Sequence, residues 1–116
     1  LNKRKEGTKY EDVAADYMTE NGYRIVERNF RCRIGEVDII ARKGNVLVFT
    51  EVKYRTNDAK GAPEYAVNYY KQKKIMKVCD YYRMTHHIPQ SQQIRFDVCT
   101  IMGNTLKYYE NAFLYG

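Results

Sequence analysis

A chain of 116 residues that is 44% hydrophobic and 29% charged can bury one self-supporting core and has no room for a second, so residues 1–116 are read as a single domain. No run reaches the ~18 consecutive apolar residues of a membrane span, and three widely spaced cysteines (Cys32, Cys79 and Cys99) make neither a disulfide framework nor a paired-cysteine zinc site. The net charge of +6 favours a polyanionic partner over a neutral or basic one.

Leu1 to Arg4 lead into a charged, amphipathic stretch rather than an apolar run, so no secretory signal is read there and the expected location is the cytoplasm. From Lys5 to Asn21, Tyr10, Val13, Ala14, Tyr17 and Met18 recur at three- and four-residue spacing, the mark of one buried helix face. Asn21-Gly22 closes that helix. Tyr23 to Arg31 then alternates, with Tyr23, Ile25 and Glu27 on one side and Arg24, Val26 and Arg28 on the other, which predicts a strand with a basic rim. Glu36 to Arg42 and Val46 to Tyr54 are rich in Val, Ile and Phe and flank Lys43-Gly44-Asn45, so they read as a β-hairpin. Pro63 is expected to open a long helix through about Thr85, burying Val67, Tyr70, Ile75, Val78 and Tyr82. Ile94 to Met102 predicts another strand, and Gly103-Asn104 a turn into a short final strand near Leu106 to Tyr109. The second helix is then a crossover that returns the chain parallel to an earlier strand. The expected class is α/β, with a mixed central sheet flanked by helices.

A two-residue Gly44-Asn45 loop fixes the hairpin register. It opposes Ile39 to Thr50, Asp38 to Glu51, Val37 to Val52 and Glu36 to Lys53, with the apolar pairs on one face. Two carboxylates about 5 Å apart across a sheet repel each other unless something offsets the charge. Mg²⁺ is a hard cation commonly held by one or two carboxylates plus substrate phosphate, which suits Asp38 and Glu51. Lys53 projects to the same face about 6.7 Å further along the strand, within reach of the same phosphate. An isolated Glu-Xaa-Lys signals no more than an amphipathic strand. The opposed Asp38, the apolar flanks and the basic balance together point to a metal site capable of assisted hydrolysis.

The segment GEVDII at 35–40 followed by VFTEVKYR at 48–55 resembles the Asp…Glu-Xaa-Lys signature of the PD-(D/E)XK nuclease superfamily, archaeal Holliday-junction resolvases in particular. Glu11 with Ala14-Ala15-Asp16-Tyr17, RNFRCRIGEVDII, Gly61 with Pro63 and Ala66-Val67, Lys71-Gln72, RFDV at 95–98 and Asn111-Ala112-Phe113 extend the likeness. Together they resemble the bacterial YraN-like family over nearly the whole chain. The resemblance implies a restriction-endonuclease-like α/β/α core and hydrolysis of DNA phosphodiester bonds, branched DNA included, with Mg²⁺ or Mn²⁺ as cofactor. It implies that Asp38 and Glu51 are metal ligands, with the backbone carbonyl of Val52 as an additional one. Lys53 would orient water or stabilise the transition state, and Glu11 would be the first-helix acid that completes such sites. A homodimer, which resolvases use to address two strands, is compatible with the resemblance, although no residue here establishes it.

Arg31, Arg33 and Arg55, with Arg28, surround the hairpin, and Lys71, Lys74 and Lys77 lie on nearly one side of the second helix. They are the candidate phosphate contacts for nucleic acid, against the plainer reading of a solvated lysine face. For the tyrosines, packing is the default over base stacking. His86-His87 is not read as a metal pair, because adjacent helical residues diverge. Arg95 and Asp97 are read as a structural ion pair, and Glu36 as a partner for Lys53. Two other functions remain in view: a catalytically silent nucleic-acid-binding module of the same fold, and an adaptor whose basic surface meets an acidic protein.

Overall fold

The computed structural model describes residues 2–55 and 67–115, with side chains from Lys9 onward. The elements are α1 (Asn2–Glu20), β1 (Arg24–Arg31), β2 (Glu36–Lys43), β3 (Val46–Tyr54), α2 (Tyr69–Thr85), β4 (Gln93–Met102) and β5 (Thr105–Phe113). The five strands form one sheet in the order β1-β2-β3-β4-β5. All neighbours are antiparallel except β3 and β4, which run parallel. That single parallel pair follows from α2, which carries the chain from one end of β3 back to the start of β4. No described helix is long and apolar enough to cross a membrane.

The run Val46-Leu47-Val48-Phe49 is apolar at every position because β3 is covered on both faces. Leu47 and Phe49 pack with Ile75, Val78, Cys79 and Tyr82 of α2. Val48 packs with Ala14, Ala15 and Met18 of α1, together with Ile39, Ala41, Cys99 and Ile101. Neighbouring side chains on a strand point to opposite faces, so α1 and α2 lie on opposite sides of the sheet. The result is the α/β/α layering that the sequence predicts. Cys79 and Cys99 are buried in these two cores, and burial pushes both thiols up to about 12.

Several local expectations are corrected. Residues 56–66, which include Pro63, lie outside the described residues; α2 starts at Tyr69. Asn68 caps it, its side chain accepting the Lys71 N–H at 2.9 Å. Val67 is buried but precedes the helix, whereas Tyr70, expected in the core stripe, is 70% exposed. Tyr70 sits five residues before Ile75, about 140° around the helix from the buried face. Val13 of α1 is likewise exposed, leaving Ala14, Ala15 and Met18 to make the contact with the sheet. In β1 a register shift between Ile25 and Glu27 breaks the alternation, and β5 runs to Phe113 rather than ending near Tyr109.

The hairpin register is the predicted one from Lys43↔Val46 to Ile39↔Thr50, with Gly44 at φ 57° in the turn, a conformation that glycine takes without a Cβ clash. It does not carry all the apolar pairs onto one face. Val37 belongs to the α2 side while Ile39 and Val52 belong to the α1 side. Across the β1–β2 ladder, Arg28↔Ile39 faces α1 and Phe30↔Val37 faces α2. Asn29 between them has φ 55°, and this left-handed residue turns the strand pair over at the level of Asp38.

On the α1 side, fully buried Asp97 accepts hydrogen bonds from Arg95 Nε (2.9 Å) and Nη2 (2.8 Å), from the Tyr108 hydroxyl (2.6 Å) and from the Asn111 N–H (2.9 Å). The Tyr108 hydroxyl also lies 3.0 Å from that of Thr50. Arg95 and Asp97 thus form the structural ion pair expected of them, and they tie β3, β4 and β5 together. Removing the carboxylate leaves a half-buried guanidinium and a main-chain N–H without their acceptor. Asp97→Ala is expected to cost ~3–5 kcal/mol, read as a lowered urea midpoint at unchanged m-value, and Tyr108→Phe about 1–3 kcal/mol.

Candidate active site

Asp38 and Glu51 come from adjacent strands at the point where those strands part. The regular β2–β3 ladder ends at Ile39↔Thr50. One residue further, the Val52 N–H donates to Asp38 Oδ2 at 2.8 Å instead of to a β2 carbonyl. A side-chain acceptor has replaced a ladder bond, which locks the Asp38 carboxylate onto the backbone of β3. In an extended strand the N–H and C=O of one residue leave the same edge, so the Val52 carbonyl opens toward the Asp38 side as well.

Glu51 is 8% exposed, and its two oxygens have different surroundings. Oε2 lies 3.2 Å from the Lys71 ammonium of α2. Oε1 is buried with no hydrogen-bond partner. The electrostatics follow from this confinement. Burial, then the charge of Glu51, pushes the Asp38 carboxyl up to about 8 against the opposing Val52 N–H. Glu51 is also raised by burial, with Lys71 pulling the other way, and the same contact raises Lys71. Burial thus disfavours ionisation of both acids, and Lys71 compensates one oxygen of Glu51 while Oε1 has no hydrogen-bond partner.

Around this pair the other predicted residues are placed as follows. Lys53 is exposed on β3, two residues beyond Glu51, and makes no ion pair with the described residues. Its expected partner Glu36 is turned instead to Arg31, 3.6 Å away. The reason is register: β1 and β2 pair Arg31 with Glu36, while the β2–β3 ladder has already ended. Glu11 projects from α1 toward Arg28, at 3.9 Å, and Arg28 is held more closely by Asp12 at 2.6 Å. Burial and the nearby Asp38 charge both raise Glu11, so it borders the acid pair, but the Asn29 side chain and Arg28 engage its carboxylate. Among the described residues no group of three or more His, Cys, Asp and Glu side chains gathers closely enough to hold an ion.

Of the expected phosphate contacts, Arg31, Lys71 and Lys74 line a cavity of about 380 Å³ with Cys32, Gly35 and Glu36. Arg33 lines a second cavity of about 360 Å³ with Ile34 and Tyr81, and Lys77 is exposed on α2. Arg55 lies past the end of β3, its main-chain N–H bonded to the Ile101 carbonyl at 2.8 Å, and lines neither cavity among the described residues. His86 ends α2 with its ring stacked on Tyr82 at 3.9 Å, not beside the acids.

The model of the uncharacterised protein family UPF0102 matches residues 10–101. The chain belongs to that family. It is 46% identical over 113 residues to a UPF0102 protein of Lachnoclostridium phytofermentans, covering 97% of this chain and 96% of the relative. A UPF0102 protein of Thermodesulfovibrio yellowstonii is 44% identical over 107 residues, covering 92% and 94% of the two chains. One from Persephonella marina is 40% identical over 108 residues, covering 93% and 92%. Glu11, Asp38, Glu51, Lys53 and Lys71 all fall inside the matched span of this UPF0102 chain.

Lys71, expected as a phosphate contact, is in the structure the ion-pair partner of Glu51, a contact the sequence did not signal. Its contact with Glu51 depends on where α2 starts, which the Asn68 cap marks, and on the packing of Ile75, Val78 and Tyr82 that sets the helix's phase. The raised Asp38 has a consequence for stability. Between an ordinary carboxylate pKa near 4 and about 8, the folded state holds a proton that the unfolded chain releases, so stability falls as pH rises through that window. In chelator, the thermal midpoint is expected to drop from about pH 5 to about pH 8, by on the order of a few kcal/mol in stability. Asp38→Asn should flatten the slope.

Proposed function

We propose that this chain is a divalent-metal-dependent nuclease that hydrolyses DNA phosphodiester bonds. The observation that supports this reading best is the half-buried Asp38 beside the buried Glu51, with Glu51 Oε1 unpartnered, next to a cavity walled by Arg31, Lys71 and Lys74. The donors fit Mg²⁺ or Mn²⁺: both are hard carboxylates, both are raised by their confinement, and Val52 offers a carbonyl on the same edge. Asp38 and Glu51 would hold the ion together with that carbonyl. When bound, such an ion supplies neutralisation of phosphate charge and a lowered pKa for water.

The chain's own groups do the remaining work. The Val52 N–H fixes the direction of the Asp38 carboxylate. Lys71 holds Glu51 in place and carries its ammonium into the cavity wall. Lys53, on the Glu51 face and open to solvent, is placed to meet a phosphate oxygen and stabilise charge that develops on it. Arg31 and Lys74 neutralise neighbouring phosphates. Glu11 stands at the margin as a positioning residue, its carboxyl raised by burial and by the Asp38 charge.

Purified protein with Mn²⁺ or Mg²⁺ is expected to cleave at least one of a panel of single-stranded, linear duplex, flap and four-way DNA substrates. Asp38→Ala and Lys53→Ala should each reduce the rate by ~100-fold or more. No cleavage of any substrate, or cleavage indifferent to both substitutions, would overturn the reading.

A second reading is favoured by one contact: Lys71 at 3.2 Å already compensates part of the Glu51 charge, as a silent nucleic-acid-binding module would require. Calorimetric titration separates the two. A nuclease site binds Mn²⁺ and loses that binding in Glu51→Ala, whereas the silent module takes up no ion and still binds DNA in a salt-dependent way.

A further inference from the structure

Most of the tyrosines that the structure places in the core are accounted for by packing, Tyr23 and Tyr82 among them. On α2, Tyr70 and Tyr81 are different, being 70% and 38% exposed. Successive helical residues turn by about 100°, which puts Lys74, Tyr81, Tyr70 and Lys77 within an arc of about 60° on the side away from the core. Lys71, which touches Glu51, lies about 60° outside that arc, on the side turned toward the sheet. Rings and ammonium groups therefore share one side of the helix, Tyr70 and Tyr81 bracketing Lys74 and Lys77 along it. The Lys74 ammonium lies 5.2 Å from the centre of the Tyr70 ring, so one place offers both a stacking surface and a phosphate partner.

The β1–β2 turn supplies the facing wall. Cys32 and Gly35 exchange main-chain hydrogen bonds of 2.9 and 3.2 Å around Arg33-Ile34. Gly35 packs against α2, where an added Cβ would stand 3.6 Å from Val78 Cγ2 and 3.8 Å from Lys74 Cδ. This close approach lays Arg31 and Arg33 alongside the helix. The two cavities open along the same seam, one at Arg31, Lys71 and Lys74, the other at Arg33, Ile34 and Tyr81. From Lys71 to Tyr81 the seam advances about 15 Å along the helix.

We propose that this seam is a track for single-stranded nucleic acid that leads into the acid pair. Tyr70 and Tyr81 are its stacking platforms for unpaired bases, and Arg31, Arg33, Lys74 and Lys77 are its phosphate contacts. Exposed tyrosines scattered singly are ordinary. Rings and cations together on one helix face match the two surfaces of an unpaired strand, its bases and its backbone. A blunt duplex presents phosphates while its base faces are already stacked, so it would leave the rings idle. An acidic protein would engage the cations alone. That the track delivers a substrate rests on the nuclease reading; the binding itself does not.

The test is fluorescence anisotropy of the intact protein in chelator, with dye-labelled oligothymidine, a blunt DNA hairpin and polyglutamate as probes. Oligothymidine should bind more tightly than the hairpin, and polyglutamate most weakly. Tyr70→Ala should weaken oligothymidine binding by ~5- to 150-fold, the equivalent of ~1–3 kcal/mol of stacking, while Tyr70→Phe keeps it. Lys74→Ala and Arg33→Ala should each lower the salt slope by ~0.7. Tyr81 neighbours Phe30, at 6.3 Å between ring centres, so Tyr81→Ala is compared with Tyr81→Phe at matched thermal stability. Equal or tighter binding of the hairpin, indifference to Tyr70→Ala, or preference for polyglutamate would overturn the track. Preserved stacking in a protein that cleaves nothing would support the track and count only against the nuclease. Cleavage of single strands at an unchanged rate in Tyr70→Ala would count only against the track.

Discussion

Burying two carboxylates side by side is the constraint around which the rest of the molecule is arranged. Burial raises both acids, and the charge of Glu51 raises Asp38 further. The fold meets part of that cost with the Val52 N–H on one acid and the Lys71 ammonium on the other. It leaves Glu51 Oε1 without a partner. A site of this kind is held by its surroundings rather than by its own interactions, which is why both helices and three strands bear on it.

The surroundings do this through topology. β3 is central, paired with β2 on one side and in parallel with β4 on the other. Its odd residues meet α2 and its even residues meet α1, so Glu51 points toward Lys71 by the same parity that places Phe49 in the core. Asn29 with its positive φ turns the outer strand pair over beside Asp38. The β2–β3 ladder ends there, and the opening is where the cavity of Arg31, Lys71 and Lys74 lies. Stability is provided away from the opening by the saturated Asp97 network on the opposite face. The Glu51–Lys71 contact and the Asp97 network thus occupy different sides of one sheet.

Much of this architecture is written locally. The β-branched and aromatic run in Val46 to Tyr54, the Gly44-Asn45 turn and the periodic spacing in residues 10–18 are short-range signals, and each produced the expected element in nearly the expected place. The hairpin register also follows from a turn of fixed length, and it brings Asp38 and Glu51 together without knowledge of the rest of the chain. Where short-range signals misled, a contact distant in sequence had decided the matter. Tyr70 fits an apolar stripe on paper, but packing of Ile75, Val78 and Tyr82 sets the phase of α2 and turns Tyr70 outward. Glu36 could face Lys53 by hairpin register alone, and it pairs with Arg31 because a different strand neighbour is nearer in charge and in space.

The sequence by itself determined that the fold is α/β and that a central hairpin turns at Gly44-Asn45 with the register from Lys43↔Val46 to Ile39↔Thr50, which sets Glu51 and Lys53 on one face of β3. These depend on residue type and on periods of two and about 3.6, which need no tertiary information. Only the tertiary structure decided that Lys71 is the counter-ion of Glu51, that Glu11 is engaged by Arg28 and Asn29, and that Tyr70 and Tyr81 share an exposed basic face. Those facts depend on the phase and placement of helices packed against a sheet. Pattern in the chain fixes which face of an element is apolar, but not which distant side chain arrives opposite a given carboxylate.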